Sequence, residues 1–245
     1  MSDKSGIEWT NATLNLVVGC QQVSPGCDNC YAKRLNDTRM MANPKSPRFG
    51  VPFETLTFHP ERIKMLKAKA GKRIFVNSMS DLFHKDVPTE VIQRAFADFA
   101  AAPQHTFQIL TKRPERMRRV VTESMVALNI HLGVSIESAD YAWRADHLRE
   151  TPAAVRFLSL EPLLGHIPAI VLKDLDWVIV GGESGSIVRP MDLAWARDIR
   201  DDCQAMGIPF FFKQVAAHRP NDDMIPPDLR LREYPEGVAA LDGEK

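Results

Sequence analysis

The sequence predicts an α/β fold built on six or seven parallel strands, and three observations predict it. Short β-type runs alternate with longer helical patterns almost from end to end of the 245 residues, as repeated βα units require. Most of these runs are rich in Val, Ile, Leu or Phe, the composition of strands covered on both faces. Several of the intervening segments open on proline, whose missing N–H costs nothing in the first turn of a helix. Two architectures meet these terms, a partial TIM-type (β/α) barrel and an open doubly wound sheet. Both gather ligands at the C-terminal ends of their strands.

Taken in order, the candidate strands are Leu14 to Gly19, Arg73 to Asn77, Thr106 to Leu110, His131 to Ile136, Val155 to Leu160, Trp177 to Val180 and Pro209 to Phe212. Helices are expected over Pro60 to Ala70, Pro88 to Ala102, Pro114 to Leu128, Ala139 to Glu150 and Leu193 to Met206. Val91, Ile92, Ala95, Phe96, Phe99 and Ala100 recur at helical spacing and form a core-facing stripe. Pro44, Pro47, Gly50 and Pro52 break regular structure between Asn43 and Phe53, where a flap near the site is expected. Trp9 and Asn11, just ahead of the first strand, are expected to close either the bottom or the rim of the barrel. Residues 1–215 are read as one barrel domain, and the polar, proline-bearing 216–245 as an extension packed on it or trailing from it.

Hydrophobic residues at 44% and charged residues at 25% are ordinary for a chain that buries a sizeable core. Lys plus Arg and Asp plus Glu both number 31, so no global field draws the protein to nucleic acid or membrane, and such a partner must be met by a local patch. The N-terminus lacks the plan of a signal peptide, and no run approaches the roughly 18 apolar residues of a membrane helix. A cytoplasmic protein with no membrane partner is expected. Three of the four cysteines fall within eleven residues while Cys203 lies far off, a poor disulfide framework and a good metal-binding one.

Those three form the array Cys20-x6-Cys27-x2-Cys30, directly after a strand and running into Tyr31-Ala32-Lys33-Arg34-Leu35. Pro25 and Gly26 bend the loop back, so that three thiolates can meet one metal centre with a helix N-terminus behind them. Three ligands leave a coordination position open, which favours a reactive iron–sulfur centre over structural zinc, normally closed by four. Zinc remains the rival reading, with His84 or His59 as a fourth ligand at no expected spacing.

Around this array stand Glu8-Trp9-Thr10, Asn15, Gly19-Cys20, Ser24-Pro25-Gly26-Cys27-Asp28-Asn29-Cys30-Tyr31-Ala32 and Asn77-Ser78-Met79-Ser80-Asp81-Leu82-Phe83. Further on come Leu110-Thr111-Lys112-Arg113-Pro114, Ser159-Leu160-Glu161-Pro162 and Gly181-Gly182-Glu183-Ser184-Gly185. As a set spanning roughly residues 7–215, these resemble a phage-associated, largely uncharacterised family that is similar to radical S-adenosylmethionine (SAM) enzymes. The resemblance implies a partial TIM-type barrel, a [4Fe-4S] cluster on Cys20, Cys27 and Cys30, and SAM chelating the unique iron. It further implies reductive cleavage of SAM to a 5'-deoxyadenosyl radical that abstracts hydrogen from a substrate, with a nucleotide or modified DNA base as the candidate. A reducing donor such as flavodoxin or ferredoxin is implied as a partner. The sequence departs from the commonest such array, C-x3-C-x2-C, by three extra residues in the first gap, and has Asn29 where an aromatic residue usually precedes the last cysteine.

Strand-end polar residues supply candidate partners for the cofactor. Ser78, Ser80 and Asp81 follow the second strand, where the resemblance places groups that receive the SAM amine, and a carboxylate suits an ammonium. Thr111, Lys112 and Arg113 follow the third strand, Ser135 and Glu137 the fourth, and Glu161 the fifth, with Lys112 or Arg113 suited to the SAM carboxylate. Gly182 and Glu183 are assigned to the pocket, where glycine lets a backbone approach a ligand. Any one of these residues has an alternative role in capping a helix or solvating a loop, as Ser138 does before Ala139. The basic run Lys112, Arg113, Arg116, Arg118 and Arg119 reads as a solvated helix face ahead of a phosphate contact. Phe210 to Phe212 read as core, with Lys213 and Gln214 as site candidates behind them. Besides the radical enzyme, a zinc-binding adaptor and an iron–sulfur electron carrier or sensor stay open.

Overall fold

The computed structural model describes residues 5–236. Seven strands form one parallel sheet: β1 (Ala12–Leu14), β4 (Arg73–Val76), β5 (Thr106–Thr111), β6 (Ile130–Ser135), β7 (Val155–Leu160), β8 (Trp177–Gly181) and β9 (Phe210–Gln214). Their spatial order follows their order in the chain, and β1 and β9 stand at opposite ends without pairing to each other. A doubly wound sheet reverses its strand order at a switch point, and this one does not. The sheet is therefore a curled partial TIM-type barrel, with α2 (Thr89–Ala100), α3 (Pro114–Val120), α4 (Trp143–Arg149) and α5 (Leu193–Met206) in the crossovers.

The seven main strands match the expected runs, with one correction at the first. The expected strand from Leu14 to Gly19 splits into β1 and a separate β2 (Val17–Val18), which pairs antiparallel with β3 (Thr57–Phe58). Asparagines cause the break. Asn15 Oδ1 accepts the Met79 N–H at 2.8 Å, and the Val17 N–H donates to Asn77 Oδ1 at 3.2 Å, so side chains replace the ladder there. The expected helix from Pro60 is a 3-10 helix, Pro60–Lys67, and α3 ends at Val120, well short of Leu128.

Alternation sends the strand side chains to two faces. Ile74, Val76, Phe107, Ile109, Leu132, Val134, Leu158, Val178, Val180, Phe210 and Phe212 belong to the main core, which includes Ile92, Phe96 and Phe99 of the expected stripe on α2. Phe75, Phe157, Trp177, Ile179 and Phe211 face inward and enclose Trp9, which is 2% exposed. Trp9 sits 4.8 Å from Phe75 and 6.3 Å from both Phe157 and Trp177, between ring centroids. The neighbouring Asn11 backbone N–H donates to Arg73 O, at the start of β4, so this aromatic layer plugs the bottom of the barrel. Gly133 permits it: a Cβ there would fall 2.5 Å from the Phe157 ring.

The segment Leu231 to Tyr234 covers β9. Phe212 N–H donates to Leu231 O and Glu233 N–H to Phe210 O, with an antiparallel bridge between Phe211 and Arg232. Tyr234 packs 5.4 Å from both Trp177 and Phe211, under the Arg73 guanidinium at 4.1 Å. An edge strand is thereby shielded from pairing with another molecule. Residues 237–245 of the expected extension lie outside the described residues. Among the described residues no helix is long and apolar enough to cross a membrane.

Candidate functional site

Above the aromatic floor a cavity of about 460 Å³ opens at the C-terminal ends of the strands. Cys20, Cys27 and Cys30 all line it, and none is in a disulfide. Cys20 is fixed by the backbone around it: its N–H donates to Phe53 O at 3.0 Å, while the preceding Gly19 bridges to Ser80, whose hydroxyl donates to Gly19 O at 2.6 Å. Gly19 has φ +108, and a Cβ there would lie 2.8 Å from Phe53 O, so only glycine brings the chain to Cys20 along this path. Cys27 closes a 3-10 turn, Pro25–Cys27, and Cys30 precedes α1 (Tyr31–Leu35). The expected flap between Asn43 and Phe53 is anchored from beneath. Arg48 is fully buried and donates to Val18 O, Pro52 O, Thr55 O and Asn36 Oδ1, leaving Phe53 on the cavity wall.

Of the strand-end residues singled out from the sequence, Ser78, Ser80, Asp81, Thr111, Lys112, Ser135, Glu161, Gly182 and Glu183 line the cavity, and Glu137 does not. Glu137 is buried under the cysteine loop. Its Oε1 accepts from Ser24 Oγ at 2.6 Å and pairs with Lys112 Nζ, and its Oε2 pairs with Arg144 Nη1 at 2.9 Å. Gly26 rests on this cluster, where a Cβ would fall 2.6 Å from Lys112 Nζ. Lys112 and Glu137 thus seat the loop and neutralise each other.

Asp81, expected to meet an ammonium, has both oxygens engaged. Oδ1 accepts from Thr111 Oγ1 at 2.7 Å and from the Phe83 N–H at 2.9 Å; Oδ2 accepts from the Lys112 N–H at 3.1 Å and Arg113 Nη1 at 2.9 Å. Arg113 continues to Cys20 Sγ at 3.6 Å and Gln21 O at 2.8 Å. Burial, helped by Asp81, pushes the Cys20 thiol up to about 11, with Arg113 acting against the rise. Burial disfavours the Arg113 charge as well, yet Asp81 and Cys20 outweigh it and raise its pKa.

Glu183 is likewise committed. It accepts from Asn29 Nδ2 at 3.0 Å and binds Arg189, which also reaches Asp28 at 3.2 Å, tying the loop after β8 to the cysteine loop. Burial raises the Glu183 carboxyl, but the hydrogen bonds from Arg189 and Asn29 hold it below its ordinary value. Gly182 lines the cavity and also lets the chain pass closely, since a Cβ there would fall 2.6 Å from Ala216 Cα. Two members of the basic run on α3 are engaged locally: Arg116 donates to His84 O and Val87 O, and Arg118 pairs with Glu150.

The groups left to meet a ligand are fewer. Ser135 and Ser159 face each other across β6 and β7, line the cavity and form no side-chain hydrogen bond with another described residue. Asn77 Nδ2 and Trp9 Nε1 are buried donors on the same lining with no partner among the described residues. At the far strand ends Lys213 Nζ pairs with Glu161 Oε1 at 2.5 Å. Ser159 stands in the Ser159-Leu160-Glu161-Pro162 motif but is not assigned to the site from the sequence, although it is an inward residue of β7, paired in register with Ser135. Of the residues that complete the cluster under the loop, Ser24 stands in the cysteine motif, whereas Arg144 carries no such signal.

Among the described residues no three His, Cys, Asp or Glu side chains are already drawn together as a metal-binding set, so the thiols share a wall rather than a point. Their chemistry fits an iron–sulfur cluster: three soft donors open to one cavity, in a lining without histidine. Neither histidine considered for zinc lines the cavity: His59 is engaged with Thr57 and Glu61, and His84 accepts from the Asp86 N–H through Nδ1 while its buried Nε2 has no partner among the described residues.

The architecture is similar to that of spore photoproduct lyase. One mutant form of that enzyme superposes with a TM-score of 0.54 at 12% identity, over 82% of this chain and 75% of that one. A second superposes with a TM-score of 0.50 at 11% identity, over the same shares, 82% and 75%. No curated protein sequence matches the chain. Residues 4–244 match the family described as "Protein of unknown function (DUF5131)", and the chain belongs to that family.

Proposed function

We propose that this protein is a radical SAM enzyme that holds a [4Fe-4S] cluster on Cys20, Cys27 and Cys30 and acts on a nucleotide or a base in DNA. The observation that carries this reading is the opening of three unpaired cysteines onto one cavity at the C-terminal mouth of an incomplete barrel. Spore photoproduct lyase, whose fold the chain shares, is a radical SAM enzyme. That likeness of fold is compatible with the chemistry, while the choice of a nucleotide or DNA substrate rests on the resemblance carried by the sequence motifs.

Cys20, Cys27 and Cys30 would hold the cluster, which would supply the electron for reductive cleavage of SAM and with it hydrogen-abstraction chemistry. The chain does the holding and the shielding. Ser135, Ser159 and the Asn77 amide offer hydrogen bonds to polar groups of SAM. Trp9, Phe75, Leu110 and Phe53 supply apolar walls that exclude water, which would otherwise quench a reactive intermediate. The Glu161–Lys213 pair, just after β7 and on β9, presents one charge of each sign to a polar substrate.

Anaerobic reconstitution with iron and sulfide tests the ligand assignment. The wild type and Cys203→Ala are expected to take up a full cluster, because Cys203 is buried on α5 away from the cavity. Cys20→Ala, Cys27→Ala and Cys30→Ala are expected to lose it. Equal loss of iron from Cys203→Ala would refute the assignment.

A further inference from the structure

Cys20 differs from the other two cysteines in having a cation against its sulfur. Arg113 Nη1 lies 3.6 Å from Cys20 Sγ and 2.9 Å from Asp81 Oδ2, and Nη2 donates to Gln21 O at 2.8 Å. The guanidinium is thus gripped at three points, and its side chain is only 14% exposed. Its anchor is rigid in turn: Asp81 also accepts from Thr111 Oγ1 and from the N–H groups of Phe83 and Lys112. Among the described residues no cation is hydrogen-bonded to either of the other two sulfurs: Cys27 Sγ meets the Ser24 hydroxyl at 3.9 Å, and the cations beside that loop are paired with carboxylates, Lys112 with Glu137 and Arg189 with Glu183 and Asp28.

We propose that Arg113 is a positioning residue that tunes the cluster: its fixed positive charge, aimed by Asp81, donates to the Cys20 sulfur and favours the one-electron-reduced state. This rests on the functional reading above. Reduction adds one negative charge to a centre whose ligands are already thiolates. A charge-assisted hydrogen bond to a ligand sulfur stabilises the added electron and raises the midpoint potential. A guanidinium suits the task because it stays charged and because its planar fork can satisfy Asp81, Gln21 and the sulfur together, which a lysine cannot do.

The test is a potentiometric titration of the reconstituted cluster in the wild type, Arg113→Gln and Arg113→Lys, followed by electron paramagnetic resonance, with SAM binding to the oxidised cluster measured separately. Arg113→Gln keeps a donor and removes the charge. It is expected to lower the ratio of reduced to oxidised cluster at a fixed potential roughly tenfold, about 59 mV for a one-electron couple, with SAM affinity changed less than twofold. Arg113→Lys keeps the charge and is expected to recover part of the shift; should Arg113→Gln fail to fold, the displaced potential of Arg113→Lys carries the test. Equal shifts in both variants would make the role one of shape and overturn the proposal. An unchanged potential with weakened SAM binding would make Arg113 a clamp for the SAM carboxylate and overturn it equally. A wild-type protein that takes up no cluster overturns the functional reading and this inference with it, whereas a wild-type cluster indifferent to Arg113→Gln overturns this inference alone.

Discussion

Glu137 and His131, both on or just after β6, show how individual buried groups carry the site and the fold. Glu137 answers Lys112, Arg144 and Ser24 at once, and its removal leaves two cations facing a carboxylate-free pocket beneath the cysteine loop. Glu137→Ala is expected to lower unfolding stability by about 3 kcal/mol, as loss of one member of a buried ion pair does, and to reduce iron uptake. Urea unfolding checks it, and a loss under about 1 kcal/mol would contradict the network. His131 is held neutral by burial, its pKa pushed down to about 4. An unfolded histidine takes its proton near pH 6.5, so between about pH 6.5 and 4 the unfolded chain binds more protons than the folded one. Stability therefore falls as pH drops through that window, by about 3 kcal/mol from this residue. Urea midpoints at pH 7 and 4.5 are expected to differ more in the wild type than in His131→Gln; equal differences would remove His131 from the account.

At the scale of elements, the sequence and the structure agree best where the physics is local. Val155–Leu160 and Leu193–Met206 fall where their runs end, because apolar content and the Gly207 C-cap, at φ 68, are visible in the chain. The first strand was not legible: the run from Leu14 to Gly19 is broken by contacts to Asn77 and Met79, some 60 residues on, and Val17–Val18 finds its partner at Thr57–Phe58. The site divides in the same way. The cysteine array and the gathering of strand-end polar residues could be read from position, but the commitment of Asp81 to Arg113, and of Glu183 to Arg189, arises between elements that no local pattern connects. The cover on β9 is of this second kind. Tyr234→Ala removes a half-buried ring packed on Trp177 and Phe211 under Arg73, and is expected to cost about 2 kcal/mol and to promote association through the uncovered edge. Thermal unfolding with light scattering checks this; an unchanged melting temperature in a monomeric variant would contradict it.

Across the whole molecule, a seven-stranded partial barrel is closed at one end and open at the other. The aromatic layer around Trp9 fills the N-terminal half, and the cavity lies at the C-terminal mouth, where the cysteine loop is tied down on two sides. Glu137 and Lys112 support it from below, and Glu183 with Arg189 holds it from the β8 side. Such a loop is suited to keep three thiols on one wall while the space beside them stays free for a cofactor and a substrate group.

The most direct test of that account is chromatographic detection of 5'-deoxyadenosine after SAM and dithionite are added to the anaerobically reconstituted protein. The account predicts its formation by the wild type and by Cys203→Ala, and its absence in Cys27→Ala. An intact cluster that leaves SAM uncleaved would contradict it and make the centre an electron carrier or sensor.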